Sequence, residues 1–230
     1  MNNLQNLISP LQQDAAFELP FRLRQPLPPM PKACVVLLHG VGGNEMNLAG
    51  LATSIDPETL VVLPRGPLQF GPWQFGWFRV AFTATGPNIV VVEAEDSRRT
   101  LICFVEQLQS AYGIDPRNTV IAGFSQGGIL SASMALSAPE VLSGFAILSG
   151  RILPELKPHI ANKERLTNLR AFIGHGDFDS KLPVMWAKRA DQLLNELGVA
   201  HVTRLYPIDH EINATMQADF LEWVQVLTKN

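Results

Sequence analysis

Ser125 sits at the centre of Gly123-Phe124-Ser125-Gln126-Gly127, a G-x-S-x-G pentad. Between a strand and a helix, such a pentad forms a sharp turn that lifts the serine hydroxyl clear of the sheet. The flanking glycines permit the turn, and the helix N-terminus presents backbone N–H groups at the same place. Neutral serine is a poor nucleophile, so it needs a base within hydrogen-bond reach and a third group to orient that base. In this kind of fold the chain order is serine, then acid, then histidine. Four histidines lie downstream: His159, His175, His201 and His210. His159 falls in a polar stretch rich in Pro and Lys and reads as surface. His201 falls inside a strand pattern. His175 precedes the candidate acids. His210, in YPIDHEI just after the last strand pattern, is the best base. The acid is expected in HGDFDSKLP, where Asp177 and Asp179 both fit by position. Either could instead be a turn former or a helix cap, and the residues alone leave the choice open.

Acyl transfer at a serine also needs two preorganised donors for the oxyanion. The residue after the nucleophile, Gln126, supplies one backbone N–H. The second is expected from the loop His39-Gly40-Val41-Gly42-Gly43, which follows the first buried strand. That glycine-rich loop matches neither the G-x-x-x-x-G-K-[ST] nor the G-x-G-x-x-G phosphate-binding pattern.

The elements that must carry these groups alternate along the chain. Strands are expected at 32–39, 60–64, 119–124, 144–149, 170–175 and 201–206. Helices are expected at 96–112, 126–137, 183–197 and 213–229. In 96–112, Leu101, Ile102, Phe104, Val105, Leu108 and Tyr112 form one apolar face, and Gly113 ends the helix. Short apolar strands separated by helices imply an α/β fold, a mostly parallel sheet covered on both faces. Residues 15–24 read as antiparallel edge strands within an irregular segment over residues 1–30. Residues 65–88 show no clear period and are rich in Gly, Pro and aromatics; a loop of that length is more often functional than idle. The loops after Leu38, Pro64, Phe124, Gly174 and Tyr206 all fall at the carboxyl edge, where open α/β sheets bind ligands. With no linker in sight, residues 1–230 are assigned to one domain.

Composition narrows the partners. The 230 residues are 47% hydrophobic and 17% charged, with a formal net charge of −3. A dedicated nucleic-acid binder would carry a basic excess, so none is expected. The longest charge-free stretch, 118–139, has 22 residues of which 11 are apolar, too polar for a membrane span. The opening MNNLQNLISPLQQD lacks a charged start and an apolar stretch, so no secretory leader is expected. Cys34 and Cys103 read as two buried thiols in a reducing compartment. They fit no zinc spacing, and a soluble cytoplasmic protein is expected.

The blocks LLHGVGGN, RGPL, GFSQGG, HGDFDSKLP and YPIDHE follow one another in the order seen in the phospholipase/carboxylesterase family, and the chain resembles that family from about Val35 to Glu211. Members are small α/β-hydrolases and include bacterial carboxylesterases and acyl-protein thioesterases. The resemblance implies that Ser125 is the nucleophile, Asp179 (the aspartate of HG-x-x-D) the acid and His210 the base. The acid and base then lie 54 and 85 residues after the serine. It places the oxyanion donors on the backbone of Val41 and Gln126. It implies hydrolysis of a small-molecule carboxylic ester or thioester with no metal and no organic cofactor. Some members pair as homodimers, although no patch diagnostic of pairing is visible here. This chain departs from the family in two loops: Asp209 stands where many members have Gly before the base, and Ser180-Lys181-Leu182-Pro183 replaces a more apolar stretch. Asp209 is expected to raise the pKa of His210 or to alter its loop. The segment QFGPWQFGWFR is unusually aromatic, and Phe70, Trp73, Trp77 and Phe78 are expected to help form an apolar substrate pocket. The leading expectation is a serine carboxylesterase for small to medium acyl groups. An acyl-protein or lysophospholipid-type (thio)esterase and a catalytically idle binding protein are the alternatives.

Overall fold

The apolar run Cys34–Leu38 is buried along its whole length. Val36 and Leu38 face one core layer, and Val35 and Leu37 face the other. A strand covered on both faces reads as continuous rather than alternating hydrophobicity. The computed structural model describes residues 7–83 and 86–229. In chain order the elements begin with β1 (Phe21–Leu23), β2 (Cys34–Leu38), α1 (Ala49–Thr53) and β3 (Leu60–Pro64). Two hairpins follow, β4 (Leu68–Gly71) with β5 (Gln74–Gly76), and β6 (Val80–Thr83) with β7 (Gly86–Ile89). Then come α2 (Val91–Tyr112), β8 (Thr119–Phe124), α3 (Gln126–Ser137) and β9 (Gly144–Leu148). The chain closes with α4 (Lys163–Leu166), β10 (Arg170–Gly176), α5 (Met185–Leu197), β11 (Ala200–Tyr206) and α6 (Ala214–Thr228).

The main sheet has seven strands in the order β1-β3-β2-β8-β9-β10-β11. All neighbours are parallel except β1, which runs antiparallel to β3. Helices α2, α3 and α5 pack against one face through Phe104, Leu108, Leu130, Met134 and Leu194. Helices α1 and α6 cover the other through Leu51, Met216, Phe220 and Val224. This is the α/β-hydrolase layout, with the turns after β2, β8, β10 and β11 gathered at one edge.

Most sequence boundaries fall within two residues of the structure, and the differences have physical causes. Helix α2 begins at Val91 rather than at residue 96. Its first turn is β-branched (Val91, Val92) and reads as extended, but Glu93 stabilises it by accepting from the Arg79 backbone N–H at 2.7 Å. The stretch 65–88, which shows no period in sequence, is two hairpins among its described residues. Cys103 corrects the reading of two buried thiols: Cys34 is buried, but Cys103 is exposed, off the Leu101–Phe104–Val105–Leu108 stripe of α2. Burial pushes the Cys34 thiol up to about 12. The expected antiparallel edge is β1, extended by bridges of Ile8 with Arg24 and of Gln12 with Phe21. The first residues of that irregular segment, 1–6, lie outside the described residues.

One buried carboxylate ties the edge to the loop after β2. Glu45 is 2% exposed. It accepts from Arg22 Nε at 2.8 Å and from Arg65 Nε and a terminal Arg65 nitrogen, each at 2.7 Å. Burial pushes its carboxyl up, but the hydrogen bonds from Arg65 and Arg22 outweigh burial and bring the pKa from 4.5 down to about 2. Because the folded-state pKa is depressed, this contribution is complete above the unfolded value of 4.5 and is lost as pH falls toward about 2. Glu45→Gln is therefore expected to lose about 3 kcal/mol of stability near neutral pH. In acid titrations of denaturant unfolding, the gap to wild type should close as the pH approaches the folded-state value; a gap independent of pH would contradict this account.

Candidate active site

Ser125 occupies the turn between β8 and α3 with φ 54 and ψ −115. A left-handed φ costs a non-glycine residue about 1–3 kcal/mol and persists only where its surroundings hold it. Two neighbours account for the glycines of the pentad. A Cβ on Gly127 would run into the carbonyl of Leu38, and one on Gly123 would run into the Gly127 backbone. The Ser125 N–H also donates to Leu148 O at 2.8 Å, anchoring the turn to the adjacent strand.

The three side chains come together in space. His210 Nε2 lies 2.9 Å from Ser125 Oγ, and His210 Nδ1 lies 2.7 Å from Asp179 Oδ2. The ring of Phe124 packs on the imidazole with centroids 4.9 Å apart. Asp179 is 5% exposed. Its other oxygen accepts from the backbone N–H groups of Lys181 at 2.9 Å and Leu182 at 2.7 Å. Burial raises the Asp179 carboxyl, but its hydrogen bonds with His210 and Leu182 prevail and hold it below the usual range. Asp177 is exposed, so of the two aspartates left open by position only Asp179 meets the imidazole.

The oxyanion-loop candidates sit on the same cavity wall as Ser125 and His210, at Gly40, Val41 and Gln126. Among the described residues neither the Val41 nor the Gln126 amide donates to another group. The loop is held from behind. Gly42 N–H donates to Phe75 O at 2.8 Å and Phe75 N–H donates to Gly43 O at 2.7 Å, which staples it to hairpin β4–β5. His39 Nε2 accepts from Gly66 N–H at 2.9 Å, which leaves Nδ1 to donate to Gly40 O at 2.8 Å. Burial pushes the His39 pKa down, in keeping with that neutral tautomer.

The aromatic segment only partly behaves as expected. Phe78 lines the cavity, but Phe70, Trp73 and Trp77 do not. Trp77 is 0% exposed, and its indole N–H donates to His39 O at 3.0 Å, so it is a core anchor. Trp73, at φ 60 in the β4–β5 turn, is 68% exposed, and Phe70 is 41% exposed. The apolar wall is instead Phe78, Val80, Pro87, Ile89, Ile129 and Leu182, around a cavity of about 240 Å³. The Gln126 side chain shapes this wall. It accepts from Trp77 N–H at 2.8 Å and donates to Phe78 O at 2.7 Å.

Two residues behind the site have partners that the sequence did not indicate. His175 is fully buried, and its Nε2 donates to Leu182 O at 2.7 Å and lies 3.3 Å from Asp179 Oδ2. Burial pushes its pKa down; the HG-x-x-D spacing, which puts a histidine four residues before the acid, was the signal. Asp209 spans the two loops that carry Asp179 and His210. One of its oxygens accepts from Ser180 N–H at 2.7 Å and His210 N–H at 2.8 Å, and the other from Ser180 Oγ at 3.1 Å. The two sequence departures, Asp209 and Ser180, are therefore partners. Among the described residues no cluster of His, Cys, Asp and Glu fits a metal ion.

A family model described as Phospholipase/Carboxylesterase matches residues 28–228. The chain is 29% identical over 199 residues to acyl-protein thioesterase 1 of Kluyveromyces lactis, spanning 76% of this chain and 86% of the relative. It shares its fold with a carboxylesterase from Mesorhizobium loti at TM-score 0.80 and 24% identity, covering 94% of this chain and 98% of the other. A Bacillus cereus carboxylesterase superposes at TM-score 0.77 and 22% identity, covering 91% and 94% of the two chains.

Asp209→Ala removes the acceptor shared by the two loops. It is expected to lower kcat for an ester by up to roughly 100-fold, as small misplacements of reacting groups do, with KM little changed. Unchanged kcat would show that the loops hold their geometry without it.

Proposed function

The chain belongs to the phospholipase/carboxylesterase family, and from that premise we propose that it is a serine carboxylesterase for esters with small to medium acyl groups. The observation that carries this reading is the run of two short hydrogen bonds, 2.9 Å from Ser125 to His210 and 2.7 Å from His210 to Asp179, at the wall of an apolar cavity. His210 Nε2 takes the hydroxyl proton as Ser125 Oγ attacks the ester carbonyl. Asp179 holds the imidazole as the Nδ1–H tautomer and stabilises its charged form. The Val41 and Gln126 amides bind the oxyanion. His210 returns the proton to the departing alkoxide, then activates the water that hydrolyses the acyl-enzyme. This chemistry calls on no cofactor.

Cavity size supports the smaller acyl groups. A closed apolar cavity of about 150 Å³ already accommodates benzene, so about 240 Å³ suits a ring or a short chain. A second reading, a thioesterase acting on long acyl groups, draws its support from the Kluyveromyces lactis relative. On that reading a long-acyl thioester outpaces a short oxygen ester. Among the described residues no helix is long and apolar enough to cross a membrane. The two free thiols suit the reducing cytoplasm, where we place the enzyme.

Ser125→Ala is expected to lose roughly 10³-fold or more in kcat on a p-nitrophenyl ester. Asp179→Asn should lose roughly 10³–10⁴-fold, and Asp177→Asn should stay near wild type. Steady-state rates with these three variants check the reading; a Ser125→Ala protein that keeps most of its activity rules it out.

A further inference from the structure

Arg151 follows β9 in a turn pressed against the nucleophile. Ser149 adopts φ 50, and a Cβ on Gly150 would lie 3.0 Å from Ser125 O. This fixes the backbone of the next residue beside the elbow. The Arg151 side chain lines the same cavity as Ser125 and His210.

Arg151 is 5% exposed as a residue. Its Nε is fully buried with no hydrogen-bond partner, and among the described residues it forms no hydrogen bond and no ion pair. What it does touch is the face of Trp186, at 4.5 Å from Cζ to the ring centroid. Arginines buried for structure look different in this protein. Arg24 also leaves its Nε without a partner, but it gives its terminal nitrogens to the carbonyls of Ile55, Asp56, Pro57 and Thr59. Arg98 pairs with Glu95 and donates to Ser137. A buried guanidinium nitrogen without such a partner is costly. A planar donor fork stacked on an indole is preorganised for a carboxylate. The rest of the wall fits this: Lys181 also lines the cavity, and no Asp or Glu does. Glu155 acts on Arg151 through space, but it forms no ion pair with it among the described residues and does not line the cavity.

We propose that Arg151 is the anion-recognition residue of this cavity. The preferred ester then carries a carboxylate, on its acyl or its alcohol part, within a few carbons of the scissile carbonyl. The short reach follows from a cavity of about 240 Å³ that must hold both the reacting carbonyl and the charge. The proposal rests on the esterase reading and adds the substrate class to it.

Two matched pairs test it. On the acyl side, monoethyl glutarate is compared with ethyl hexanoate; on the alcohol side, para-acetoxybenzoate is compared with its methyl ester. For each pair the ratio of kcat/KM, anionic over neutral, is measured in wild type, Arg151→Met and Arg151→Lys. The ratio in one pair is expected to fall roughly 10- to 100-fold in Arg151→Met, the range of a charge-assisted hydrogen bond, and to fall less in Arg151→Lys. The pair that responds identifies the side bearing the charge. A purely structural role lowers both members of a pair alike, and ratios unchanged in both pairs overturn the proposal. Should Arg151→Met fail to fold by thermal melting, wild type alone decides the matter: benzoate should compete with a neutral ester at least tenfold more strongly than benzamide does, and equal competition overturns the proposal. Failure of the esterase reading is seen separately, as hydrolysis of the neutral esters that survives Ser125→Ala.

Discussion

An imidazole can serve a serine only if two loops from different strands agree on its position to within a few tenths of an ångström. His210 comes from the segment after β11 and Asp179 from the turn after β10, while Ser125 rides on the turn after β8. The sheet sets these turns side by side, because β8, β9, β10 and β11 are consecutive parallel neighbours. Parallel strands put all their carboxyl ends at one edge. Sheet order therefore does the coarse positioning and hydrogen bonds between loops do the fine positioning.

The fine positioning comes from layers of neutral and charged partners. Asp179 is oriented by two backbone amides and flanked by His175, which burial keeps neutral. Asp209 and Ser180 join the loop of Asp179 to the loop of His210. On the opposite wall, His39, Trp77 and the Gln126 side chain hold the glycine-rich loop and the strap at Trp77–Phe78. Glu45, with Arg22 and Arg65, secures the far end of that loop against the sheet edge. Among the buried polar atoms left without a partner, His175 Nδ1 lies behind Asp179, whereas Arg151 Nε belongs to a side chain that lines the cavity itself.

The strand and helix alternation was readable because buried parallel strands are short apolar runs and their helices carry one apolar stripe. The candidate nucleophile was readable too, since the G-x-S-x-G pentad falls between a strand and a helix, where it forms a sharp turn. Position alone left Asp177 and Asp179 open, and only the HG-x-x-D resemblance pointed to Asp179; in space, burial and the reach of His210 separate them. The aromatic segment misled because aromatic content does not say which way a ring points. The Trp77 indole is spent on His39, and Trp73 sits at a hairpin tip. The partnership of Asp209 with Ser180 spans 29 residues and exists only because two loops meet. Arg151 had no signature, since a single arginine after a strand is ordinary until its surroundings prove to hold no acceptor. Cys103 shows the same limit on a smaller scale: one position off the helix stripe turns a core thiol into an exposed one.

The central claim is that His210 makes the Ser125 hydroxyl reactive. It is tested most directly by treating the protein with a fluorophosphonate and locating the adduct by peptide mass spectrometry. The account predicts stoichiometric modification of the peptide carrying Ser125, and labelling slowed by orders of magnitude in a folded His210→Gln protein. An unmodified Ser125, or labelling that proceeds equally fast without the imidazole, would contradict it.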